Sequence, residues 1–123
     1  MGFFIDDSRP IFMQIAERIE DDIIEGRLPE ESQVPSTNQF ASFYQINPAT
    51  AAKGVNLLVD QGILYKKRGI GMFVAAGARA ALIEKRKEQF YEQYVLATIR
   101  EARKLGITAE QLTDMIRKGD KTL

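Results

Sequence analysis

Among its 123 residues the chain has no histidine and no cysteine. That removes the commonest general base, the commonest metal ligand and every thiolate site. Three groupings remain that could do chemistry. The acidic run Glu20, Asp21, Asp22 and Glu25 has the residue type for a metal or an acid–base pair. It falls on the polar positions of an amphipathic pattern, so a solvated helix face is the expectation. Gly69-Ile70-Gly71 has two glycines at the spacing of a phosphate-cradling loop. No lysine–serine pair and no helix follow it directly, which makes it a turn between strands. Lys66-Lys67-Arg68 leads into that turn, and cations beside a glycine tip suit the negative potential of a nucleic-acid groove. Alternate strand side chains point to opposite faces, so Lys66 and Arg68 share one face and Lys67 takes the other. No catalytic residue, metal ligand or cofactor is assigned, and the chain is expected not to be an enzyme.

The elements that would position these groups follow from charge and periodicity. The formal net charge is zero, but residues 1–31 carry nine acidic and three basic side chains. Residues 32–80 carry one acid, Asp60, against Lys53, Lys66, Lys67, Arg68 and Arg79. That asymmetry points the middle of the chain at an anionic partner. A hydrophobic content of 45% is enough for a core. No apolar run approaches a membrane span and no basic-then-apolar leader opens the chain, so a cytoplasmic protein is expected.

Pro10 suits a first helical turn, with Ser8 nearby as a cap. Phe12, Ile15, Ala16, Ile19 and Ile23 recur at helical spacing, with Glu17, Glu20, Asp21 and Glu25 facing away and Gly26 closing the helix. Ser36 and Gln39 form a capping box that opens a short helix with Phe40, Ala41 and Tyr44 inside. Only Gln45 and Ile46 separate it from Asn47-Pro48, a strong cap followed by proline at the first helical position. The third helix runs to about Gln61, with Ala51, Val55 and Leu58 inward, and stops at Gly62. Residues 63–68 and 72–74 read as two strands about the glycine turn. A small-residue joint, Ala75 to Ala78, leads to a helical stretch ending near Leu105, ~40 Å long at 1.5 Å per residue. After Gly106, Thr108 and Gln111 open a last helix that carries Leu112, Met115 and Ile116 and ends at Gly119.

Helix, helix, tight turn, helix and hairpin is the order of a winged helix-turn-helix. The expected fold class is mainly α: this domain with a small β-hairpin wing over residues 1–76, then a two-helix dimerisation tail over 77–123. The start of the third helix would reach base edges in a major groove while the preceding helix crosses the backbone. Unpaired amides at the helix starts suit phosphate oxygens.

Gly26-Arg27-Leu28, Val34-Pro35-Ser36, Phe40-Ala41, Ile46-Asn47-Pro48-Ala49-Thr50-Ala51, Leu58, Gly62-Ile63 and Gly69-Ile70-Gly71-Met72-Phe73-Val74 stand in one order over 49 residues. This string resembles the DNA-binding domain of the GntR family of transcriptional regulators. The Asn-Pro-x-Thr variant and the short tail resemble its YtrA-type branch. The resemblance implies phosphate contacts at Ser36 and Thr50, a helix cap at Asn47, a basic contact at Lys53, and wing contacts at Arg68, Gly69 and Gly71. With Thr37, Asn38 and Ala49 these make the expected DNA-binding set. Asn38, Pro48 and Ala52 stand where other branches hold arginines, so base reading there departs from the usual pattern. Leu57 and Val59 are apolar where the family is usually charged, which implies a covered face.

The expected function is sequence-specific binding of a palindromic double-stranded operator by a homodimer, most simply as a repressor. The alternative is a winged-helix protein–protein module without specific DNA binding. Ile83, Phe90, Tyr91, Tyr94 and Ala97 form an apolar stripe on a helix too long for the winged domain, and a second copy of the chain is its simplest partner. Phe90, Tyr91 and Tyr94 are also the candidate lining for a small-molecule effector.

Overall fold

Helix α1 (Ile11–Ile24) starts directly after Pro10, whose carbonyl accepts from the amides of Met13 (3.1 Å) and Gln14 (3.4 Å). The structure, a computed structural model, describes residues 5–123. Ser8 does not cap α1; its amide and hydroxyl both donate to the Asp6 carboxylate. The leader is instead tied down by the buried side chain of Gln14. That side chain donates to the carbonyls of Asp6 (2.7 Å) and Arg9 (3.0 Å) and accepts from the Asp6 amide. The buried stripe of α1 is wider than its apolar positions. It takes in Gln14 and also Glu20, which is buried and not on the solvated face expected for it. Asp22 is paired with Arg27 at 2.7 Å and Arg18 at 3.6 Å.

Helix α2 (Thr37–Tyr44) ends at Gln45 in the left-handed conformation, and helix α3 (Pro48–Asp60) begins three residues later. The Ile46 amide donates back to the Ala41 carbonyl, which closes the tight turn between them. Helices α1 and α3 approach so closely at Gly54 that a Cβ there would lie 2.7 Å from the Phe12 carbonyl oxygen. The core gathers Ile15, Ile19 and Ile23 of α1, Phe40 and Ala41 of α2, and Ala51, Val55 and Leu58 of α3. Leu57 and Val59 are half-buried against this cluster, so the chain's own core covers part of the face on which they lie.

Strands β1 (Leu64–Lys67) and β2 (Gly71–Val74) pair antiparallel, with Leu64 opposite Val74 and Lys67 opposite Gly71. Residues 31–34 run along the free edge of β2. The Glu31 amide donates to the Val74 carbonyl at 2.8 Å and the Val34 amide to the Met72 carbonyl at 2.9 Å. The wing is thereby stitched to the segment that leads straight into the cap of α2.

By packing, the chain divides into two compact units, Met1–Glu84 and Lys85–Leu123. Ala78 and Leu82, in the first turns of helix α4 (Ala78–Phe90), are buried in the core of the first unit. Arg79 Nε donates to the Ile24 carbonyl at 2.9 Å, placing a cation on the C-terminal end of α1. The Ala75 amide donates to the Ile63 carbonyl at 2.9 Å. The small-residue joint is therefore anchored on both sides.

In the second unit Tyr91–Val95 form a π-helical turn, followed by α5 (Leu96–Lys104) and α6 (Ala109–Thr122). The Leu96 amide donates to the Tyr91 carbonyl, five residues back. The capping box of Thr108 and Gln111 opens α6 as expected, but α6 runs through Gly119 to Thr122. Glycine costs a helix about 1 kcal/mol relative to alanine without forcing it to stop.

Candidate nucleic-acid interface

The start of α2 is built by reciprocal bonds. Ser36 Oγ accepts from the Gln39 amide at 3.1 Å, and Gln39 Oε1 accepts from the Ser36 amide at 2.7 Å. The hydroxyl hydrogen of Ser36 is not consumed by that cap and is available to a phosphate oxygen. Ser36 and Asn38 are exposed, and Thr37 is half-buried. At α3, Asn47 Oδ1 accepts from the Ala49 amide at 2.7 Å, and Asn47, Pro48 and Ala49 are all exposed. Thr50 is half-buried one turn in, and Lys53 is exposed on the next. The expected reading residues of α3 thus include a short polar cap, a methyl group, a hydroxyl and one cation. Such a surface offers few groups for direct hydrogen bonds to bases and would suit close approach with methyl and water-mediated contacts.

Lys53 Nζ lies 4.2 Å from the centroid of the Phe12 ring, over its face. Phe12, Ala49, Ala52, Lys53, Asn56 and Leu57 line an open groove of about 490 Å³ between α1 and α3. Sequence reasoning placed Phe12 in the core; in the structure it is half-buried and holds the cation.

At the wing, Gly69 has φ 77° and Gly71 φ 146°, both in the region that favours glycine. The Ile70 amide donates to the Lys67 carbonyl at 2.9 Å, closing the turn. Gln33 Nε2 donates to the Ile70 carbonyl at 3.1 Å, and a Cβ on Gly71 would lie 2.6 Å from that same nitrogen. Glycine at 71 is thus required twice, by its dihedral and by the passage of Gln33. Lys67 is folded back over the sheet, its Nζ 4.2 Å from the Phe73 ring centroid. Arg68 is exposed at the entry to the tip. Tyr65 Oη donates to Glu31 Oε2 at 2.5 Å, and that hydrogen bond, with burial second, raises the phenol above its ordinary value. Gln33 and Glu31 were missed by sequence reasoning. Both lie in a loop, and nothing in their local pattern announces a partner more than thirty residues away.

The first unit contains Ser36, Thr37 and Asn38 at the start of α2, Asn47, Ala49, Thr50 and Lys53 at the start of α3, and Arg68, Gly69 and Gly71 at the wing. Ile83 also falls in this unit and is half-buried. Phe90, Tyr91, Tyr94 and Ala97 lie in the second unit and are all exposed, with the Phe90 and Tyr94 ring centroids 5.6 Å apart. The π-helical turn at 91–95 departs from ordinary helical spacing in the middle of this stripe. Among the described residues no helix is long and apolar enough to cross a membrane.

Comparison with known proteins gives the same domain. Residues 12–74 match the family model for bacterial regulatory proteins of the gntR family. The transcriptional repressor YtrA of Bacillus subtilis (strain 168) is 27% identical over 111 residues, which cover 90% of this chain and 85% of YtrA. A solved GntR-family transcriptional regulator from Bacteroides thetaiotaomicron is 38% identical, with a TM-score of 0.72, covering 91% of this chain and 97% of that one. The DNA-binding domain of AraR, solved in complex with operator ORX1, is 29% identical with a TM-score of 0.54. It covers 61% of this chain and 90% of its own. With a capped recognition helix, a glycine-tipped wing and these relatives, the chain belongs to the GntR family of bacterial regulatory proteins, among its short YtrA-type members, and is a DNA-binding transcriptional regulator.

Proposed function

We propose that the chain binds a two-fold operator as a homodimer and represses transcription by occupying it. The observation that carries this reading is the exposed, capped start of α3 in one unit with a wing whose glycine tip is entered by Arg68. Ser36 and Thr50 hold phosphates, Asn47 caps the α3 start, Lys53 and that start face the major groove, and Arg68, Gly69 and Gly71 enter the minor groove. Affinity comes mainly from phosphate contacts and counterion release. Repression is the role carried by the name of YtrA, which this chain matches over most of its length. The chain acts by binding and without catalysis, in the cytoplasm where its operator lies.

Dimerisation is assigned to the second unit. Phe90, Tyr91, Tyr94, Met115 and Ile116 are all more than half exposed there, and exposed apolar surface of this kind marks an interaction site. The aromatic pair Phe90–Tyr94 at the π-helical turn is the candidate contact for a small-molecule effector. The test is selection of duplexes from a random pool by the full chain, followed by binding at several salt concentrations. The expected product is an inverted repeat with half-sites about one helical turn apart, bound with a steep inverse salt dependence. Failure to enrich any sequence would refute the reading.

A further inference from the structure

Isolated exposed apolar residues are ordinary on protein surfaces and mean nothing by themselves. Ile70 differs because of what surrounds it. It is 64% exposed in the three-residue turn that tips the wing, between two glycines and after the basic run Lys66-Lys67-Arg68. Both of its backbone polar groups are already used inside the protein. The amide donates to the Lys67 carbonyl at 2.9 Å, and the carbonyl accepts from Gln33 Nε2 at 3.1 Å. Ile70 is therefore held at the tip with its backbone donor and acceptor satisfied, and what remains for a ligand is hydrocarbon.

We infer that Ile70 is a specificity-determining residue: its side chain enters the minor groove beneath the wing and favours A·T over G·C there. This rests on the operator-binding reading. In the minor groove A·T and T·A present only acceptors on the groove floor, whereas G·C adds the guanine amino group. An isoleucine can neither accept from that amino group nor leave it hydrated, so packing against a G·C pair strands a polar donor. Against A·T the same side chain packs on the groove walls, and aliphatic side chains are a recurring minor-groove device. Arg68 beside it supplies attraction to the groove without reading sequence. Gln33 acts as a positioning residue for the tip, through the Ile70 carbonyl.

The experiment uses the full chain and an operator selected by it, with the wing's base pair located by minor-groove footprinting. That pair is then set to A·T, G·C or inosine·C for the parent, Ile70→Ala and Arg68→Ala. Inosine·C keeps the major groove close to that of G·C but lacks the minor-groove amino group. The parent should bind A·T and inosine·C alike and G·C about fivefold to tenfold more weakly, within the usual range for one altered pair. Ile70→Ala should narrow that difference to about twofold with an unchanged salt slope, whereas Arg68→Ala should keep the preference and lower the slope by about one contact. The inference is overturned if inosine·C behaves like G·C in the parent, or if Ile70→Ala discriminates as the parent does. A parent that binds no duplex at all would instead refute operator binding, and this inference with it.

Discussion

At the scale of single residues, Lys53 and Arg68 are both exposed cations but sit in different settings. Lys53 rests over the Phe12 ring at the edge of the groove between α1 and α3, on the same helix as the Asn47 cap. Arg68 stands at the wing. Lys53→Ala should cost about 1–3 kcal/mol of operator binding and relax the preference at one base pair. Arg68→Ala should weaken all duplexes alike and reduce the salt slope by about one. Titrations of both variants against specific and scrambled duplexes at several salt concentrations separate the two, and identical behaviour would refute the assignment. Lys67, whose ammonium already lies over Phe73, should matter less than Arg68 in the same assay.

At the scale of elements, the caps and breaks were legible because they are local. Ser36 with Gln39, Asn47 with Pro48, Thr108 with Gln111, and Gly26, Gly62 and Gly106 each act within a few residues, and each does what its type suggests. What was not legible depends on packing or on distant partners. The burial of Glu20, the tie of Gln33 to the wing tip and the anchoring of Ala78 and Leu82 have no signal at helical or strand spacing. The π-helical turn at Tyr91–Val95 was invisible for a related reason. It alters helical spacing without any glycine or proline to mark it. The candidate DNA-binding residues were named by type, order and family resemblance, whereas the network that presents the wing had no such signal. Gly54 makes the packing argument testable. In a helix Gly→Ala ordinarily stabilises by about 1 kcal/mol. Here the new methyl would lie 2.7 Å from the Phe12 carbonyl oxygen and 3.2 Å from Ile15 Cβ, so α1 and α3 must separate. Gly54→Ala should therefore destabilise by about 1–3 kcal/mol, a cost typical of overpacking, measured by chemical denaturation; a rise in stability would refute the close approach.

At the scale of the whole molecule, the proposed homodimer would assemble through the second unit. Tyr94→Glu with Ala97→Glu would place two charges in the proposed seam, where burying them without partners is costly. That variant should sediment as a monomer and bind single half-sites only weakly, and an unchanged dimer would locate the interface elsewhere. The anchoring of α4 bears on how such regulators can be recombined. Because Ala78 and Leu82 complete the core of the first unit and Arg79 bonds to the end of α1, the smallest transplantable reading head extends through Glu84. A gene fusion spliced after residue 76 would carry the entire wing yet leave a hole where Leu82 belongs, a loss of about 2–5 kcal/mol by the measure of large-to-small core changes. Grafting a foreign tail after Glu84 should give a head that melts cooperatively, and grafting it after Ala76 should not, so a tail exchange that keeps the head folded should have its seam inside a helix instead of in the loop before it.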